Sequence, residues 1–302
     1  MSSKTDILIV GGGLVGCATA YFLAKAGAEV LLIERDDLNL QASGSNAGSF
    51  HAQLPHRTFC EQGDAWGRNF APVVEMLIEG IKLWQSMEAE LDTAFDVHIG
   101  GGILVADKPE QMRDIERRMS LERAHGLEIH ALTREELRHL APYVTPQAVG
   151  GCFCPIEGKA DPLKAAAAFA RRAGERGVLI RRRTELLALA HDGDGYVATT
   201  STGRIAARRV VNCAGALAGK VAAMLGIDVA IQGFPIQVNV TAPAAPLVHH
   251  LVYSAGPRLT LKQMANGRFL FGGGWPARLD AKTGRAVVDL NSLLGNLATA
   301  RL

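Results

Sequence analysis

The chain has too few cysteines for a disulfide framework: five in 302 residues, odd in number and scattered. That usage predicts reduced thiols and a cytoplasmic protein. Only Cys152 and Cys154 stand close together, on one face if the segment is a strand. No second Cys or His pair accompanies them, so no metal is expected. Charge of one sign is also lacking. A formal net charge of +2 gives no electrostatic case for nucleic acid, and the Arg171-Arg172 and Arg181–Arg183 clusters read as solvated surface. No uninterrupted apolar run is long enough to span a bilayer. No charged-then-apolar leader precedes the first strand, so no signal peptide is expected. Internal repeats are absent, as is low complexity beyond a short alanine run.

What is present is an ordinary globular balance, 48% hydrophobic and 21% charged residues, over a length that suits two domains. The most informative passage comes first. Asp6–Val10 is an apolar strand, Gly11-Gly12-Gly13-Leu14-Val15-Gly16 a glycine turn, residues 14–26 a helix of small residues, and Val30–Glu34 a second strand ending in an acid. This order suits a dinucleotide. Gly11 permits the sharp turn and Gly13 lets backbone N–H groups reach a pyrophosphate. Gly16 lets the helix pack on the sheet with its positive end toward the phosphates, Leu14 and Val15 lying in its first turn. Glu34, with Arg35 beside it, is placed to accept the hydroxyls of an adenosine ribose, and its charge disfavours a 2′-phosphate.

Further along, helical spacing recurs at 66–90, strand patterning with glycines at 96–106, and a charged helix at 108–124. Thr133 with Glu136 reads as a capping box. Residues 150–162 are turn-rich, and a helix follows at 163–176. Strands are predicted at 178–180, 184–191, 196–200, 209–213, 229–241, 248–254, 258–264 and 268–273. The order is a βαβ unit, a mixed segment, another α/β segment and then antiparallel strands. It predicts a dinucleotide domain interrupted by pieces of a second domain.

Four passages are in register with one family. They are Gly11–Gly16 with Glu34; Ser43-Gly-Ser45-Asn46-Ala47-Gly48 followed by His51; Glu157-Gly-Lys-Ala-Asp161-Pro162 leading into a helix; and Val210-Val-Asn212-Cys213-Ala214-Gly215. With them the chain resembles the FAD-dependent D-amino-acid oxidase superfamily, most nearly the branch of glycine and sarcosine oxidases and the FAD subunits of opine and proline dehydrogenases. Gly267–Gly274 is similar to that family's substrate-domain hairpin. The resemblance implies an α/β fold: a discontinuous Rossmann-like FAD-binding domain at 1–88 and 154–222, and an α+β antiparallel-sheet substrate domain at 89–153 and 223–302.

It also implies FAD as cofactor, held by Gly11, Gly13, Leu14, Val15, Gly16, Glu34, Arg35, Ser43, Ser45, Asn46, Ala47, Gly48, Cys213, Ala214 and Gly215. The reaction implied is oxidation of the C–N bond of a small amino acid or secondary amine, with hydride passing from the carbon that bears the nitrogen to the flavin. His51, Tyr253 and Arg258 are the catalytic candidates, with His249 nearby; Arg258 has the chemistry to grip a carboxylate. Two other readings share the motifs. A 2-hydroxy acid substrate would use His51 as general base. A non-catalytic FAD-binding subunit would work beside partner dehydrogenase subunits or another electron acceptor. Covalent flavin attachment through His51 or Cys60 is a further option. Relatives continue past this point with a returning glycine-rich segment, so the chain is expected to be a truncated member, an expression fragment, or a member whose missing part is supplied otherwise.

Overall fold

The computed structural model describes residues 3–283 and 286–300. The chain divides into two compact units.

The first unit takes residues 1–46, 91–95 and 162–234. Its centre is β1 (Ser3–Val10), whose Leu8 and Ile9 are fully buried. Both faces of this strand are covered, which is why its apolar run is continuous rather than alternating. β1 pairs in parallel with β2 (Val30–Ile33) on one side and with the strand Gly203–Asn212 on the other. The full order is Leu186–Asp192, Gly195–Thr200, Gly203–Asn212, β1, β2, Leu179–Arg181. The first three form an antiparallel meander and the rest run parallel.

Helix α1 (Leu14–Lys25) packs on the helix Pro162–Glu175. The buried residues of both helices are mostly small: Gly16, Cys17 and Ala20 in one, Ala165, Ala166, Ala168, Ala170 and Ala173 in the other. Tyr21 and Phe169 fill the remaining space, with ring centroids 5.8 Å apart.

The second unit takes residues 47–90, 96–161 and 235–302. Its seven-stranded sheet runs Asn239–Pro243, Arg268–Gly272, Thr260–Gln263, Leu251–Ser254, Gly102–Ala106, Gly150–Cys154, His130–Thr133. All neighbours are antiparallel except Leu251–Ser254 with Gly102–Ala106. The register sets Leu104 between Cys152 and Tyr253. Leu104, Cys152 and Cys154 share a core with Ala52, Leu54, Val74, Ile81, Ile115 and Met119. A short three-stranded sheet, Ser49–Phe50, Gly158–Lys159 and His98–Ile99, carries residues that matter below.

Most predicted elements form, and the α/β class stands. Three expectations need correction. The segment 229–241 is a strand only at Asn239–Pro243. Upstream of it an isolated bridge forms between Ile236 and Pro276, and Ile231, Phe234 and Ile236 are exposed. The passage from 150 is a strand at Gly150–Cys154 rather than a turn. Its glycines serve close packing: a Cβ on Gly151 would lie 2.2 Å from the Leu104 carbonyl oxygen. The helical pattern at 66–90 is two helices, His56–Phe70 and Val73–Leu91, separated where Pro72 lacks an N–H. The Thr133–Glu136 capping box forms as expected. Among the described residues, no helix is long and apolar enough to cross a membrane.

Candidate functional site

The glycine loop of the first unit is made almost entirely of main chain. Gly11 has φ +113°, a region closed to other residues, and a Cβ there would lie 2.3 Å from the Cys213 carbonyl oxygen. A Cβ on Gly16 would lie 1.9 Å from the Gly11 carbonyl oxygen. These two glycines therefore hold the loop against the strand end at Cys213, whose N–H donates to the Val10 carbonyl at 2.8 Å.

The helix that follows starts at Gly13 with no side-chain cap and no acidic residue in its first turn. Its positive end is left for an anion. Ser43 reaches this end, its Oγ accepting from Leu14 N–H at 3.0 Å. A Cβ on Gly13 would crowd that same hydroxyl at 2.9 Å.

Glu34 is held rigidly by two main-chain donors. Gly12 N–H reaches Oε2 at 2.7 Å and Asp36 N–H reaches Oε1 at 2.9 Å. Each oxygen keeps a lone pair, so the carboxylate can still accept from a ribose diol. A glycine cradle that a Cβ would fill, an uncapped helix start and an acid with spare acceptor capacity fit the adenosine diphosphate half of FAD.

The other loop residues have local tasks. Arg35 pairs with Asp36 at 3.1 Å on the surface. Ser45 N–H bonds the Ala42 carbonyl, and the Asn46 side-chain amide bonds the carbonyls of Ala42 and Ser43 at 3.1 and 2.6 Å, which closes the loop on itself. Asn212 Oδ1 accepts from Ala214 N–H at 3.2 Å, and Gly215 takes φ +55°. In the second unit, the Gly48 carbonyl accepts from Ala160 N–H at 2.9 Å, and Ala47 lines a small recess with Ser49, Tyr253 and Lys262.

The second unit holds a very different arrangement. His51 and Tyr253, 202 residues apart, meet at 2.9 Å between Nδ1 and the phenol oxygen. Tyr253 in turn donates to Glu157 Oε2 at 2.9 Å. Glu157 is fully buried and also accepts from Ala52 N–H at 2.7 Å, Gln53 N–H at 3.0 Å and Gln53 Nε2 at 3.0 Å. Gly102 makes room for it: a Cβ there would lie 1.7 Å from Oε2.

The chain of contacts fixes the protons. A carboxylate only accepts, so the phenol hydrogen goes to Glu157, and the phenol oxygen accepts from His51 Nδ1–H. Neutral His51 then carries its free lone pair on Nε2. The shifts agree. Burial first, then the Glu157 charge, raises the Tyr253 pKa well above its ordinary value, so the phenol keeps its hydrogen. His51 has an exposed surface, yet the protein packed around its ring lowers its pKa; Glu157 opposes this and Lys262 reinforces it.

Behind Glu157 lies a second buried group. Arg118 donates to Gln53 Oε1 at 2.6 Å, to the Leu54 carbonyl at 3.0 Å and to Cys152 Sγ at 3.3 Å. Its Nε lies 3.3 Å from Glu122 Oε1, which also accepts from Leu54 N–H at 2.7 Å. Glu122 is fully buried, and burial, partly offset by Arg118, raises its pKa to about 7. Gln53 thus has one side-chain end on Glu157 and the other on Arg118.

The structure brings His51 and Tyr253 together and leaves Arg258 apart from them. Arg258 is exposed, its Nη1 on the Gly274 carbonyl at 3.3 Å. His249 is exposed, and its neighbour His250 has Nδ1 2.5 Å from the Tyr143 hydroxyl. Cys60 is exposed, its Sγ 3.6 Å from His56 Nε2. Sequence reasoning missed Glu157 as a functional group, together with Gln53, Arg118, Glu122 and Lys262. One signal was available: the Gly100–Gly102 run marked a close approach, and Glu157 is what approaches.

Comparison with known proteins identifies the family. The family described as FAD dependent oxidoreductase matches residues 6–298. Glycine oxidase of Geobacillus kaustophilus is 28% identical over 262 residues, covering 84% of this chain and 66% of that protein. Sarcosine oxidase subunit beta of an Arthrobacter species is 28% identical over 278 residues, covering 89% and 65%. The chain therefore spans just under two thirds of the length of these curated relatives. The crystal structure of L-proline dehydrogenase from P. horikoshii superposes with a TM-score of 0.85 at 24% identity, covering 99% of this chain and 76% of that one. The chain belongs to the FAD dependent oxidoreductase family, and its cofactor is FAD.

Proposed function

We propose that the protein oxidises the C–N bond of a small amino acid or secondary amine. The observation that carries this reading is the Glu157–Tyr253–His51 series, which leaves an imidazole Nε2 free to accept a proton. An ammonium must lose a proton before its neighbouring C–H bond can give up hydride, and burial keeps His51 neutral, with its Nε2 lone pair available to accept that proton. When bound, FAD supplies the hydride acceptor, and the imine product hydrolyses in water. The chain's own part is to hold the cofactor and to orient the acceptor. Gly11–Gly16, Glu34 and Ser43 serve the first task, with Cys213–Gly215 behind them. Glu157 serves the second, fixing the Tyr253 hydroxyl and through it the His51 tautomer. The names of the relatives, a glycine oxidase and a sarcosine oxidase subunit, favour an amine over an alcohol.

Within this reading the segments 1–88 and 154–222 carry the FAD-binding residues and 89–153 and 223–302 serve the substrate, with His51 and Glu157 contributing to the substrate side from the former. The subunit name of the sarcosine oxidase relative supports assembly with further subunits, one of which would pass electrons on. Five unpaired cysteines suit a reducing cytoplasm.

The second reading, oxidation of a 2-hydroxy acid, draws on the same His51 Nε2, which an alcohol would need as general base. Anaerobic mixing of the holoprotein with amino acids, N-methyl amino acids and 2-hydroxy acids separates the two. Bleaching of the flavin absorbance by the amines alone supports the first; bleaching by the hydroxy acids alone, with loss of at least ~100-fold in His51→Ala, supports the second.

A further inference from the structure

The helix Pro109–Ala124 sends two charged side chains into the core of the second unit. Arg118 and Glu122 stand one turn apart on one face of it, 2% and 0% exposed. A buried ion pair seldom adds stability over apolar residues of similar volume, so its presence points to another task.

The hydrogen bonds say which. Arg118 Nε faces Glu122 Oε1 at 3.3 Å without an aligned hydrogen bond, and Glu122 Oε2 has no hydrogen-bond partner among the described residues. The aligned bonds of Arg118 run instead to the residues that follow His51: Nη1 to the Leu54 carbonyl at 3.0 Å and Nη2 to Gln53 Oε1 at 2.6 Å. Glu122 accepts from Leu54 N–H, and Glu157 from the N–H groups of Ala52 and Gln53. Residues 52–54 are thus clamped between two acids and a guanidinium, directly beside His51.

The Gln53 amide is the joint. An amide fits the same slot in two orientations that exchange its oxygen and nitrogen. A guanidinium only donates and a carboxylate only accepts, so one orientation is allowed: oxygen toward Arg118, nitrogen toward Glu157. The Cys152 thiol beside them is pushed up to about 11 by burial and stays neutral, and burial raises Cys154 as well. Each hydrogen in the series then has one direction: Arg118 to Gln53, Gln53 to Glu157, Tyr253 to Glu157, His51 to Tyr253. Burial apart, the groups acting on the His51 ring are Glu157, which favours its protonated form, and Lys262 on Thr260–Gln263, which opposes it. Any loss of donors at Glu157 leaves more of its charge to act on His51.

We propose that Arg118 is a positioning residue for His51: by fixing the Gln53 amide and the Leu54 carbonyl it sets the donors on Glu157, and so how readily His51 Nε2 takes the substrate's proton. The inference rests on the oxidoreductase reading above and gives the buried Arg118–Glu122 pair a part in it.

The test follows His51 in the holoprotein by two measurements: titration of its ring by NMR, and the pH profile of anaerobic flavin reduction by saturating sarcosine. Gln53→Met keeps the volume and both charged ends but removes the joint. It should raise the proton affinity of His51 at least ~3-fold and move the low-pH limb of the reduction rate correspondingly to higher pH. Arg118→Met, which also removes the charge, should act in the same direction and further. Arg118→Lys keeps the charge and one donor and should restore most of the wild-type profile. Ile115→Ala opens a cavity one turn away on the same helix; it should lower the urea midpoint and leave the His51 titration in place. Should Arg118→Met fail to fold, Gln53→Met and Arg118→Lys still decide. An equal shift in Ile115→Ala would overturn the assignment. Flavin reduction by sarcosine with no shift of titration or profile in Gln53→Met would overturn the positioning role and leave the oxidoreductase reading standing. The expected shift of the ring titration, with no reduction by any amine, would do the reverse.

Discussion

Around Gly11–Gly16 nearly every polar contact is made by main chain. Gly12 and Asp36 N–H groups hold Glu34, Leu14 N–H holds Ser43, and the helix start is left open. Around Glu157 two of the four donors are side chains, and all four come from distant stretches: Gln53 lies 104 residues away in sequence, Tyr253 96 residues away, and Tyr253 carries the contact on to His51. A main-chain site tolerates many side chains but no Cβ at its glycines. A side-chain site tolerates backbone adjustment but no loss of a partner, because each buried donor left without an acceptor costs about 1–3 kcal/mol. Substitutions should therefore separate the two regions: in the first they change ligand binding more than stability, and in the second they change stability and chemistry together.

The largest effect is expected at Glu157. Glu157→Ala strands four donors, and even with water relieving some of them the loss should be roughly 3–6 kcal/mol. Urea unfolding of wild type and variant measures it; a loss below about 1 kcal/mol would mean the buried carboxylate is not the centre of the second unit's polar core. Gly13→Val should act in the opposite way. A branched side chain against Ser43 fills the phosphate space, so FAD binding should weaken by ~100-fold or more while the urea midpoint moves little. A normal flavin-to-protein ratio in this variant would break the comparison from the other side.

Glu122 sharpens the contrast through pH. Its folded pKa of about 7 lies above the ordinary carboxyl value of 4.5. Its contribution to stability is then fully present below pH 4.5 and is lost as pH rises toward 7. The loss should be on the order of 3 kcal/mol. His56, lowered by burial and by Arg118 from 6.5 to about 4, has the opposite trend: full stability above pH 6.5, lost as pH falls toward 4. The two slopes partly cancel in wild type. Glu122→Gln should remove the first and leave stability rising with pH across this window. A flat profile in the variant would show that Glu122 does not titrate as its burial implies. The smaller effect belongs to the first unit: Glu34→Ala should weaken FAD binding by roughly 1–3 kcal/mol, read from a fluorescence titration.

The same contrast explains what the sequence disclosed. Gly11, Gly13, Gly16 and Glu34 lie within one βαβ unit, so their spacing alone describes the geometry they form. The strands β1 and β2 were legible for the same reason, as short apolar runs bounded by glycine. Glu157 could not be read this way. Its partners come from residues 52–53 and 253, and only the sheet register beside Gly102 and Leu104 brings them within reach. His51 and Tyr253 were chosen singly, by resemblance; their contact with each other, and the buried Lys262 beside them, depend on that register too. Arg258 was chosen for its charge, and its exposure on the strand approach was invisible in a linear reading. The stretch 229–241 failed as a strand because alternation is a property of one segment, while a strand needs a partner.

The central claim is that FAD is held by one region and that proton chemistry is set by the other. Tyr253→Phe tests it most directly. The substitution removes one oxygen, breaks the link between Glu157 and His51, and leaves the glycine loop untouched. The measurement is the anaerobic rate of flavin reduction by a small amino acid, at matched FAD content, in wild type and Tyr253→Phe. The account predicts full FAD occupancy in both, with reduction slowed by at least ~10-fold in the variant and its pH dependence shifted. An unchanged rate and pH profile would contradict it.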